Sequence, residues 1–190
     1  MNQSLLTEKN STKKTAGNKH LLSPTAEGLQ EYTGTWDTAQ VVHLLKRTLF
    51  GAKQQDIQYF KTRTLQQSVD ELLQPTAAPS TVPLNNYSVS GYTDPSGVAL
   101  WQTWINTGIT IADKELNEKR IDSFKTWWLG QAVQPSRSIH EKLTVFWHNH
   151  FATNTDISTD KIKARFWYDH YLTLRQHALG NFKDRTKAIT

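Results

Sequence analysis

Apolar residues recur at helical spacing in block after block of this chain, and strand-like alternation is weak everywhere. Val41, Val42, Leu45 and Leu49 form one stripe, and Leu65, Val69, Leu72 and Leu73 a second. Leu116, Ile121, Phe124, Trp127 and Trp128 form a third, and Ile139, Leu143, Phe146 and Trp147 a fourth. A stripe of this kind must be covered by another element. The chain is therefore read as all-α, an irregular multi-helix bundle. Trp101, Trp104 and Ile105 carry the same spacing, and a longer helix is expected from about Ile162 to Leu179.

The ends of these helices are marked by residues that satisfy free backbone groups. Asp37 with Gln40, Thr64 with Gln67, and Ser138 with Glu141 have the spacing of capping boxes, the last being the best-defined helix start. Gly51 closes the first stripe, and Gly180 is placed to serve as a left-handed stop for the last. Pro75 and Gln134-Pro135 end two others. Between residues 74 and 96, Pro75, Pro79, Pro83 and Pro95 with Gly91 oppose any regular element, so a long Pro-rich loop is expected. Tyr87 and Tyr92 within it indicate that parts of the loop pack down.

Residues 1–35 are rich in Ser, Thr, Lys, Asn and Gly without periodicity and read as a flexible basic extension ahead of a helical domain at 36–190. Of the net charge of +5, residues 1–20 hold Lys9, Lys13, Lys14 and Lys19 against Glu8, or 4 − 1 = +3, leaving a nearly balanced body. That distribution describes a solvated end rather than a nucleic-acid arm. Seven Trp, seven Phe and six Tyr supply the large apolar surfaces of a packed core. There is no cysteine, which excludes disulfides and thiolate chemistry and leaves a structural zinc site to rely on His and carboxylates. No secretory signal or membrane-spanning run is visible, so a cytoplasmic location is the default expectation. A glycine-rich phosphate loop, a nucleophile elbow and HExxH are all missing.

The segments His43 to Gly51 (HLLKRTLFG), Trp127-Trp128-Leu129, Glu141 to Thr153 (EKLTVFWHNHFAT) and Leu174 to Phe182 (LRQHALGNF) resemble, in order, successive motifs of a bacterial family, domain of unknown function 1800. The resemblance spans about residues 36–184. It implies no activity, substrate or cofactor. It does imply that relatives continue past the position of Thr190 with further helices and an acidic helical motif, so the chain is read as the amino-terminal part of a longer, here incomplete, domain. Arg185 stands where the family pattern leads one to expect an apolar residue.

The residues that invite chemistry are His148, His150 and Glu141. Imidazoles ligate metals and move protons near neutral pH, which makes His148 and His150 the candidate metal ligands and all three the candidate catalytic groups. On a regular helix, however, residues two apart point about 200° apart, so the two imidazoles do not share one ion. The structural expectation places His150 at a helix end near the core, with His148 partly exposed beside Glu141 and Thr144. The letters H-N-H do not carry the spread motif or ββα-metal fold of the nuclease family of that name. His170 and His177 lie about 10 Å apart along a helix axis, too far for one zinc; Asp169, Asp156 and Asp160 are the carboxylates that a site made by folding would add. The tryptophans are read as core rather than as a stacking platform.

These features lead to a non-catalytic helical interaction or scaffold domain, with a protein partner or self-association and no required cofactor. The alternative is a metal-assisted hydrolase using the FWHNHF histidines and a divalent ion, completed by a carboxy-terminal part.

Overall fold

A computed structural model describes residues 31–108, 113–133, 136–152 and 163–190. The chain divides into two units, 1–34 and 35–190, and the described helices all fall in the second. Those helices are α1 (Thr38–Thr48), α2 (Gln54–Lys61), α3 (Leu65–Leu72), α4 (Lys114–Val133), α5 (His140–His150), α6 (Ala164–Gln176) and α7 (Phe182–Ile189). Among the described residues the only strand-like pairing is one isolated bridge, Leu84 with Thr103. The fold is all-α, as the period of the stripes requires.

Two apolar cores organise it. Val41, Leu45 and Leu49 of the first stripe close on Phe60 and Leu72, joining α1, α2 and α3. Asp37 caps α1 through the amide of Ala39 at 2.8 Å. The expected reciprocal bond from Gln40 is not made, because its buried Oε1 has no partner. The Thr64–Gln67 box of α3 forms in full, with both bonds near 3 Å. The second core gathers Trp104, Ile121, Phe124, Ala164, Trp167, Tyr168 and Tyr171, so that α4 packs on α6.

The Pro-rich segment is tied down by polar groups rather than by helix. Asn85 is fully buried; its Nδ2 donates to the Val98 carbonyl at 2.8 Å and its Oδ1 accepts from the Ser88 amide at 3.0 Å. Arg120 of α4 reaches into the same loop and donates to Asp94, Ser96, Tyr87 and the Thr107 carbonyl. Burial of Arg120 is tolerable because Asp94 supplies the opposite charge at 3.2 Å. Tyr87 and Tyr92 meet edge to face, and Gly91 and Gly97 provide the left-handed turns the path needs.

Around Trp101 the expected helix is absent. The backbone turns there, with Trp101 itself at φ +64° and largely exposed, while Trp104 is buried and donates to Ser123 Oγ at 3.1 Å. Hydrogen bonds from this strand-like loop to Asn85 won over weak local helical spacing.

Two helix ends also differ from expectation. Neither Gly51 nor Gly180 adopts the left-handed conformation. Long cations occupy the free carbonyls instead: Lys142 Nζ donates to Lys46 and Leu49 at the end of α1, and Arg185 donates to His177, Ala178 and Gly180 after α6.

Candidate functional site

The start of α5 is where the chain concentrates buried polar groups. Ser138 does not box with Glu141; its hydroxyl donates to the Gln74 carbonyl at 2.6 Å and accepts from the His140 amide. Ile139, without a side-chain bond, occupies the cap position. Glu141 turns inward, where its carboxylate accepts from Arg175 Nε of α6 and from the Tyr171 hydroxyl. Both charged side chains are 8% exposed. A pair this buried needs every remaining donor satisfied, and Arg175 completes its set on the Thr76 hydroxyl at 2.6 Å.

His140 extends the network. Its Nε2 sits 2.7 Å from the Arg175 carbonyl, which can only accept, so Nε2 carries the proton and Nδ1 receives the Thr76 amide at 3.0 Å. Burial holds this imidazole below its ordinary range. Burial, reinforced by the Glu141 charge, drives the Tyr171 phenol upward. A cavity of about 410 Å³ opens beside Thr76, His140 and Arg175. Each of these groups is already bonded within the protein, and together they clamp the Pro-rich loop onto α5 and α6.

The two histidines of the FWHNHF motif part company, as helical geometry requires. His148 continues the Glu141–Thr144 face, and its ring lies 5.0 Å from Trp128, 5.8 Å from Trp167 and 5.8 Å from His170 of α6. Its Nδ1 is buried with no partner. His170 donates from Nε2 to the Phe151 carbonyl at 3.1 Å, and burial lowers the pKa of both rings. His150 is exposed rather than near the core, its ring beside Trp147, Phe151 and Phe182. The expected apolar stripe of α5 is therefore not its buried face: Phe146 is exposed, while His140, Glu141 and Thr144 are buried. The ion pair to Arg175 set the rotation of the helix.

His177 does not join His170; its carbonyl is taken by Arg185. Asp169 pairs with Arg165 at 2.9 Å, and Asp156 and Asp160 lie outside the described residues. Among the described residues no three His, Asp or Glu side chains come together as a metal site. Trp104 and Trp167 are core, Trp127, Trp128 and Trp147 are half-buried, and Trp101 alone of these is exposed.

One uncovered apolar feature was not read from the sequence. Two adjoining depressions, of about 340 and 250 Å³, share Phe50, Leu129 and Ala132, and add Trp128, Val145 and His148 on one side and Val133 on the other. Phe50, Leu129 and Val133 are 44%, 65% and 59% exposed. The signal was present: at about 100° per residue, Leu129 and Val133 lie about 140° and 180° round α4 from the core residue Phe124. One face of α4 meets α6, while Leu129 and Val133 on the other remain exposed.

The model of a family of proteins of unknown function, DUF1800, matches residues 43–190. The chain belongs to the DUF1800 family. The match takes in the second core, the first core apart from its Val41 edge, and the α4–α5 groove of this DUF1800 chain. No curated protein and no solved structure matches it. Among its described residues, no helix is long and apolar enough to cross a membrane.

Proposed function

We propose that this DUF1800 chain is a non-catalytic interaction domain that receives an amphipathic helix of a partner protein in the groove walled by Phe50, α4 and α5. The observation that carries this reading is the second apolar face of α4: Leu129 and Val133 stand in solvent at the lip of a concave, apolar depression. Exposed apolar patches of this kind mark interaction sites, and a groove between helices is the shape into which a helical ridge fits. Of the polar residues that invited a catalytic reading, Glu141 is engaged by Arg175 and Tyr171.

The test is a titration with a fluorescent peptide that forms a Leu/Ala-faced amphipathic helix, against a scrambled peptide of equal composition. Binding of the first alone, lost in Leu129→Lys, supports the reading. Equal binding of the two peptides, or binding indifferent to Leu129→Lys, overturns it.

The metal-assisted alternative retains one favourable observation, the unpartnered Nδ1 of His148 beside His170. Two imidazoles fall short of the three protein ligands that a catalytic zinc takes. This alternative requires Zn²⁺ to raise the melting temperature of the wild-type chain and not of His148→Ala, whereas the interaction reading requires no such difference.

A further inference from the structure

Resting on the groove reading, we infer that the partner helix is acidic along the edges of its apolar face. The floor of the groove is apolar, but its rim is cationic. Lys53 and Lys125 line it directly. Arg137 adds a third cation through its bond to Asp56.

Two acids oppose these three. Asp56 is occupied by Arg137 at 2.9 Å, and Asp122 makes an exposed contact of 3.3 Å with Lys125, which solvent screens heavily. The rim therefore carries 3 − 2 = +1, with Lys53 free of either pair. Carboxylates flanking an inserted helix would meet Lys53 at one depression and Lys125 at the other while its apolar ridge covered Leu129 and Ala132.

The same charges argue against the other occupants. A second copy of this chain docked groove to groove would oppose two cationic rims, at a cost in repulsion. An anionic bilayer matches the sign but not the shape: apolar side chains that wall a depression accept a ridge, whereas membrane insertion needs a protruding apolar face.

Three fluorescent peptides with one Leu/Ala face, flanked by Glu, Gln or Lys, decide the matter with the full chain. The Glu-flanked peptide is expected to bind about ten-fold more tightly than the Gln-flanked one at low salt, with the gap closing as NaCl is raised. The double variant Lys53→Glu/Lys125→Glu should reverse the ranking. Both positions are exposed, and a circular dichroism melt checks the fold; if the double variant melts early, Lys125→Gln replaces it and should narrow the gap. Three peptides binding alike overturns the acidic partner and leaves the groove reading intact. No peptide binding overturns both. Leu129-dependent dimerisation, or Leu129-dependent binding to phosphatidylserine vesicles without peptide binding, assigns the face to another occupant and overturns the proposal.

Discussion

Glu141 of α5 and Arg175 of α6 form an ion pair with each side chain only 8% exposed, and it is this pair that turns the polar side of α5 inward. Removing one partner strands the other charge in a dry interior. Glu141→Ala is expected to cost about 3–5 kcal/mol, whereas the apolar replacement Glu141→Leu with Arg175→Met should recover most of that loss. Urea denaturation of the two variants measures it. A single-variant cost below about 1 kcal/mol would contradict a structural role for the pair.

Arg185 lies over the Trp147 ring at 3.5 Å and donates to the carbonyls of His177, Ala178 and Gly180. Cation–π stacking and charge-assisted hydrogen bonds both depend on its planar fork. Arg185→Ala should cost about 2–4 kcal/mol, and Arg185→Lys, which keeps the charge and loses the fork, should restore less than half. Thermal unfolding followed by tryptophan fluorescence reads the difference.

Burial lowers the pKa of His140, His148 and His170 from the ordinary value of 6.5, and the neighbouring His170 charge adds to the effect on His148. In acid the unfolded chain then binds more protons than the folded one, so stability rises with pH across this window. It should be fully present above about pH 7 and decline as pH falls below about 6.5, where the unfolded imidazoles begin to charge. Melting temperatures across that range should fall toward acid. The slope should be shallower in His148→Gln, which removes one of the rings.

Phe124 and Leu129 sit five residues apart on one helix with opposite fates. Phe124 is fully buried between Trp127, Trp128, Trp167 and Tyr171, and Phe124→Ala should cost about 3–5 kcal/mol. Leu129→Gln, at an exposed position, should change stability by no more than about 0.5 kcal/mol while weakening peptide binding. A large stability loss at Leu129 would mean that the groove is a core rather than a surface.

The sequence by itself determined what depends on near neighbours. Helical period, the Thr64–Gln67 cap, the stripe of Val41, Leu45 and Leu49, the divergence of His148 and His150, and the family all follow from residues within a few positions of one another. Tertiary structure decided whatever depends on a distant partner. The face that α5 buries was set by Arg175, 34 positions away, and the end of α1 was capped by Lys142, more than 90 positions on, rather than by Gly51. Arg185, where an apolar residue was expected, found its role only when α7 folded back over Trp147. Local spacing encodes the faces of a helix, but which face is covered depends on the free energy of pairing groups that meet only after the chain has folded.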